Sequence, residues 1–320
     1  MKRRDFVRAT IGVPLLPALE AFVPERVDYF REEEIRGANL PADRYALHFM
    51  AIGDWGRNGE YLQAEVAAGM GAWAAQNRTH FVISTGDNFY PKGVISEQDP
   101  LWHFSFENVY RAHSLQCDWY PVLGNHDYGS DPDAQVRYSA VSRRWKMSAR
   151  YYSKEVSMGK GKGSALFVML DTNAMVDEDR REETGRQLAW LEATLQAASN
   201  ETKWKIVVGH HPAYTVGPRM ERSQVELVRK TLADIFRKYG VDVYLSGHEH
   251  SLQHLKEEGF PHQFVSGAGS ELTGVTSGIA YSRFEASVNG FMYASLDVGR
   301  LNMKAIDYTG KVLYETNLEK

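Results

Sequence analysis

The sequence of 320 residues holds a single cysteine, Cys117, so no disulfide can form within the chain. It also lacks an excess of basic charge. Lys and Arg number 37 against 41 Asp and Glu, a formal net charge of −4, and no basic stripe stands out. A nucleic-acid-binding face needs such a stripe, so nucleic acid is not an expected partner. Long apolar runs are missing as well. The stretch Ile11–Leu19 falls well short of the ~20 residues that a membrane-spanning helix requires, so no stable membrane anchor is expected. What the chain has in quantity is aromatic residues, with 7 Trp, 17 Tyr and 14 Phe, which fits a packed globular body and not a disordered one.

The start is organised. Arg3-Arg4 is followed by Phe6 and then by the modest apolar stretch, the layout of a twin-arginine export signal over residues 1–23. That route carries folded proteins, which suits both the absence of disulfides and an enzyme loaded with metal before export. The expected location is therefore periplasmic or secreted. Residues 24–44, including Glu32-Glu33-Glu34, read as an exposed lead-in. Residues 45–320 show no linker or repeat and read as a single catalytic domain, with a monomer favoured.

Within that domain, short apolar runs alternate with amphipathic stretches. The runs Tyr45–Ile52, His80–Ser84, Trp119–Leu123, Ser164–Leu170, Lys203–Val208 and Val241–Leu245 have the continuous apolar content of buried strands. Glu60–Gln76, Gly185–Ala198 and Gln224–Lys238 carry apolar residues at helical spacing. The tail differs: Phe291–Leu296, Leu301–Asp307 and Lys311–Thr316 alternate apolar and polar residues like an antiparallel meander. The fold class is α/β, with two packed mixed β-sheets flanked by helices. Gly159-Lys160-Gly161-Lys162-Gly163-Ser164 lacks the spacing of a phosphate-binding loop and reads as a hairpin turn.

The ligand-type residues fall in a pattern. Asp54, Asp87, Asn125, His210 and His248 each directly follow a glycine at the end of an apolar run. In α/β sheets the carboxyl ends of strands form the binding crevice, so these five loops should converge. Carboxylate, imidazole and amide oxygen are ligands for Fe, Mn or Zn, and one cysteine excludes a thiolate cluster. Two aspartates, an asparagine and the histidines, with His250 included, exceed the needs of one ion. They suit two ions roughly 3.5–4 Å apart, able to clamp both the attacking and the leaving oxygen of a phosphoryl displacement. Tyr90, three positions after Asp87, is either a phenolate ligand on a trivalent ion or a ring packed on the loop.

Gly53-Asp54-Trp55-Gly56, Gly86-Asp87-Asn88-Phe89-Tyr90, Gly124-Asn125-His126-Asp127, Gly209-His210-His211-Pro212 and Gly247-His248-Glu249-His250 resemble the five metal-binding motifs of the purple acid phosphatases, a family of calcineurin-like metallophosphoesterases. The small tartrate-resistant type is the most similar. The resemblance implies the four-layer αββα fold. It also implies Fe³⁺ on Asp54, Asp87, Tyr90 and His250, and a second divalent metal (Fe²⁺, Zn²⁺ or Mn²⁺) on Asp87, Asn125, His210 and His248. The implied reaction is phosphomonoester hydrolysis by in-line attack of a metal-bound hydroxide. His126 would contact the phosphate and protonate the leaving group, with Asp127 holding its ring.

Three features depart from the small mammalian-type enzymes. No histidine lies in Ala213–Ser223, where those enzymes place a second proton donor; Tyr214, Arg219 and Glu221 are the candidates there. The stretch between Asp171 and Leu188 is shorter than their protease-sensitive loop. His211 replaces a common tyrosine. The remaining histidines, His254 among them, read as core or surface residues. Expected partners are small phosphorylated substrates, with phosphoproteins as a further class. The alternatives are a phosphodiesterase or nucleotide pyrophosphatase on the same site, and a non-catalytic binding relative.

Overall fold

The computed structural model describes Leu47–Lys320, so the signal and lead-in expected before residue 45 lie outside the described residues. Two mixed sheets pack face to face. The first has the order β13-β12-β11-β1-β2-β3, built from β1 (Leu47–Ile52), β2 (Phe81–Ser84), β3 (Asp118–Pro121), β11 (Gly290–Leu296), β12 (Arg300–Asp307) and β13 (Val312–Glu319). Strands β1, β2 and β3 are parallel, and β11–β13 form the antiparallel meander expected of the tail. The second sheet has the order β10-β8-β9-β7-β6-β5-β4, with β4 (Tyr152–Ser157), β5 (Ser164–Met169), β6 (Thr202–Val208), β7 (Val243–Ser246), β8 (Leu252–Leu255), β9 (His262–Ser266) and β10 (Ser282–Ala286). Its middle strands β5, β6, β7 and β9 are parallel.

Strand periodicity explains the layers. On β5, Ala165, Phe167 and Met169 join the core between the sheets, while Leu166 and Val168, with Leu170 just beyond the strand, point the other way. Adjacent strands repeat the division: Ile206 and Val208 face inward, Val207 outward; Val243 and Leu245 inward, Tyr244 outward. Phe167 meets Phe49 and Phe81 of the first sheet edge-on, at 5.3 and 5.2 Å between ring centroids. The outward set is covered by α4 (Arg181–Ala197) and α5 (Ser223–Tyr239) through Leu191, Leu195, Val228, Leu232 and Phe236. Helix α1 (Gln63–Gln76) buries Val66, Ala67 and Met70 against the first sheet. Two short helices, α2 (Pro132–Tyr138) and α3 (Thr172–Val176), sit in the connecting loops. Among the described residues, no helix is long and apolar enough to cross a membrane.

Some boundaries differ from expectation. α1 starts at Gln63, not Glu60, because Tyr61 and Leu62 hold left-handed backbone at φ 53° and 64°. α4 starts at Arg181, four residues before Gly185, with Glu182 and Glu183 favoured in its first turn by the helix dipole. Strands β8 and β9 escaped notice because each carries a buried glutamine. Gln253 bonds Ser251 and the Val216 N–H, and Gln263 accepts the Ala213 and Tyr214 N–H groups. The Gly159–Ser164 segment is the hairpin between β4 and β5, closed by Met158 N–H to Gly163 O at 2.9 Å.

Candidate metal centre

The ligand-type side chains sit just past the carboxyl ends of parallel strands from both sheets. Asp54, Asp87 and Asn125 follow β1, β2 and β3; His210 and His248 follow β6 and β7. Three of them, Asp54, Asp87 and His248, hold positive φ (59°, 49° and 69°), a conformation that non-glycine residues keep only where surrounding structure enforces it. Two glycines make the approach possible. Gly86 has φ 95°, and a Cβ there would meet His210 Nδ1 at 2.6 Å; a Cβ on Gly124 would enter the Asp87 carboxylate.

All seven predicted ligand side chains converge, and they divide into two groups. Around the Tyr90 hydroxyl lie Asp87 Oδ2 at 3.1 Å, Asp54 Oδ1 at 3.3 Å and His250 Nε2 at 3.3 Å. Around His210 Nε2 lie Asn125 Oδ1 at 3.2 Å, His248 Nδ1 at 3.1 Å and Asp87 Oδ2 at 3.4 Å. Asp87 Oδ2 belongs to both groups. Its other oxygen accepts the His126 N–H at 2.8 Å.

The donor set fits cations. His210 donates Nδ1–H to Thr85 O at 2.9 Å, so Nε2, which faces oxygen atoms of Asn125 and Asp87, is the nitrogen a cation would take by displacing its proton. Asp87, His210 and His248 alone offer ligand atoms within 4.8 Å of one another, all buried. Burial opposes charge on Asp87 and His210, yet their attraction wins. It holds the Asp87 carboxyl well below its usual range and pushes His210 up to about 9. Burial and the Asp87 and Asp54 charges push the Tyr90 phenol well above 10.

His126 is half-buried beside this cluster. Its ring stands 4.4 Å from the Tyr90 ring, and Nδ1 lies 2.7 Å from Pro91 O. The expectation that Asp127 holds this ring is corrected. Asp127 is fully buried and turned away, accepting N–H bonds from Gly124 (2.8 Å), Asn88 (3.1 Å), Phe89 (3.2 Å) and the Gln135 amide (2.8 Å). It joins the Asp87 and Asn125 loops. Burial and the Asp87 charge push its pKa up to about 7. Every polar partner it has is a donor, however, so its surroundings satisfy the carboxylate and not the acid.

Among the candidates in Ala213–Ser223, Tyr214 faces away, packed on Phe260 and Tyr281. Glu221 is exposed. Arg219 pairs with Glu249, a buried carboxylate between His248 and His250 that the sequence reading gave no role. Arg57 was also missed: its guanidinium lies 3.8 Å from the Tyr90 ring centroid. Only its position, three residues after Asp54, could have drawn notice. His211 is fully buried, with its ring 4.5 Å from that of His248. His254 bonds Tyr314 and His262, as befits a core residue.

Two packed sheets with two sets of oxygen and nitrogen donors at their strand ends, buried apart from Asn125, define a metallophosphoesterase. The calcineurin-like phosphoesterase family model matches residues 47–252. Purple acid phosphatase 17 of Arabidopsis thaliana is 35% identical over 292 residues, covering 84% of this chain and 83% of that one. Tartrate-resistant acid phosphatase type 5 of Oryctolagus cuniculus is 33% identical over 301 residues, covering 86% and 91%. A purple acid phosphatase from yellow lupin (Lupinus luteus) seeds shares the fold at TM-score 0.66 and 15% identity, covering 85% of this chain and 53% of that one. The chain belongs to the purple acid phosphatases within the calcineurin-like phosphoesterases, and it is a hydrolase of the acid phosphatase class.

Proposed function

We propose that the chain hydrolyses phosphomonoesters at a dinuclear centre, with Fe³⁺ on Asp54, Asp87, Tyr90 and His250 and a divalent ion (Fe²⁺, Zn²⁺ or Mn²⁺) on Asp87, Asn125, His210 and His248. The observation that carries this is the division of seven side chains into two sets of four that share Asp87 Oδ2. When bound, such a pair supplies Lewis acidity, acidifying a water and offsetting phosphate charge.

The side chains supply the rest. The His126 N–H fixes one Asp87 oxygen and so aims the other at both sets. Thr85 O fixes the His210 tautomer. His126, with Nδ1 engaged by Pro91 O, presents Nε2 beside the cluster as phosphate contact and proton donor to the leaving alkoxide. Asp127 acts at one remove, by holding together the loops that carry Asp87, Asn125 and His126. Small phosphorylated substrates, export by the twin-arginine route and a monomeric state belong to the same proposal.

The test is metal analysis and a visible spectrum of the purified protein, with turnover of p-nitrophenyl phosphate and its bis-ester. Two metals per chain, a tyrosinate-to-iron band and preference for the monoester are expected. Asn125→Ala or His210→Ala should empty the divalent site and abolish turnover. Near-normal activity in either variant would overturn the assignment.

A further inference from the structure

A cavity of about 300 Å³ opens beside the metal centre, with Asn125 and His211 in its wall. His211 is held in one tautomer. The Thr172 hydroxyl accepts the His210 N–H at 3.2 Å and the His211 N–H at 3.0 Å, which occupies both its lone pairs. Its one hydrogen therefore goes to His211 Nδ1, 2.9 Å away, and Nε2 carries the ring proton. That N–H is buried and has no partner among the described residues, a costly state for a polar group. Gln224, also in the wall, has an amide that makes no hydrogen bond among the described residues.

The remaining wall narrows the occupant. Val176 is its single apolar side chain, and Asp177 and Glu178 add acceptors. Tyr128 offers the one phenyl ring, and guanidinium groups already lie over it, Arg180 at 4.5 Å and Arg150 at 5.6 Å. A nucleobase or an aryl group would have to compete with these guanidinium groups to stack there. This is not a second phosphate site, because Arg180 is bonded to Glu183 and Tyr128 and lies 4.0 Å from Asp171.

We infer that this cavity is the subsite for the alcohol half of the substrate, and that the His211 Nε2–H and the Gln224 amide select a polyhydroxylated, sugar-like leaving group over an aryl one. The inference rests on the phosphatase reading above. It is tested with glucose 6-phosphate and p-nitrophenyl phosphate on the metal-loaded protein. Wild type should show the higher kcat/KM for the sugar phosphate. Gln224→Leu and His211→Phe should each lower the ratio of sugar-ester to aryl-ester kcat/KM about fivefold to tenfold, the worth of one hydrogen bond. Metal content, measured alongside, must match wild type for His211→Phe to count, and Gln224→Leu stands apart from the ligand cluster. An unchanged ratio in Gln224→Leu, or wild type preferring the aryl ester, overturns the subsite and leaves the phosphatase reading intact. Wild type that hydrolyses neither ester overturns both.

Discussion

Asp127→Asn replaces one buried oxygen by NH2 and keeps the shape of the side chain. The carboxylate accepts the Gly124 N–H on Oδ2 and the Gln135 amide on Oδ1, each at 2.8 Å, with Asn88 and Phe89 N–H groups close by. Asparagine brings only one oxygen, so either orientation sets its NH2 against a donor. Gln135 cannot relieve this by flipping, because its own oxygen accepts the Asn88 amide at 2.9 Å. A hydrogen bond to a charged group contributes about 1.5–3 kcal/mol, and a stranded buried donor costs roughly 1–3 kcal/mol. The expected loss is therefore about 3–5 kcal/mol, a large part of the roughly 5–15 kcal/mol that holds a domain folded. At ~2–4 °C per kcal/mol, thermal unfolding of the metal-loaded protein should drop by roughly 6–20 °C. Metal content should fall with it, since the Asp87 and Asn125 loops lose their tie. A variant with wild-type Tm and metal content but much lower kcat would refute this reasoning, and would put Asp127 back on the His126 ring.

Gly124→Ala should leave the core intact but drive a methyl group into the Asp87 carboxylate; metal analysis should find both ions weakened, because Asp87 serves both sets. His254 and His262 are pushed down to about 3 and about 4, by burial first and then, for both, by Lys256 and Arg283, with His262 adding to the effect on His254. Both folded values lie below the unfolded value of about 6.5, so their contribution to stability is full above pH ~6.5 and is lost as pH falls through the folded values. His262→Gln should accordingly flatten the decline in urea midpoint between pH 6.5 and 4. Replacing Arg3 and Arg4 by Lys should leave the protein in the cytoplasmic fraction of an expressing cell; unchanged export would refute the twin-arginine expectation.

The ligand positions were legible because a strand that ends in a sharp turn leaves a glycine in the sequence. Gly86 and Gly124 mark places where one loop passes within contact of another loop's side chain. Strands β1, β2, β5 and β7 were legible because burial on both faces makes them almost wholly apolar, and β6 because its last three residues, Ile206–Val208, are. Strands β8 and β9 were not, since on their outer face, beside Leu255 and Val265, they place Gln253 and Gln263 to serve backbone groups of the Ala213–Gly217 loop. Asp127 was misread for a related reason. Its neighbour in sequence is His126, but its partners are backbone amides of Asn88 and Phe89, some 40 residues away. No spacing rule signals that.

The strained residues explain why these loops act as a unit. Left-handed backbone at a non-glycine residue costs on the order of 1–3 kcal/mol, and three such residues lie within this one cluster. Each is tied to another loop. Asp54 N–H bonds Gly86 O at 2.9 Å, the Asp54 carboxylate accepts the His248 N–H at 3.0 Å, and Asp87 accepts the His126 N–H at 2.8 Å. The chain Gly86–Asp54–His248 crosses from the first sheet to the second, and His210 Nδ1 to Thr85 O crosses back. No loop can relax to ordinary backbone without breaking a bond to its neighbour, so the geometry of both ligand sets is fixed by the packing of the sheets. Substitutions at Asp54 and His248 should therefore be non-additive in stability, because the first already releases the strain that holds the second.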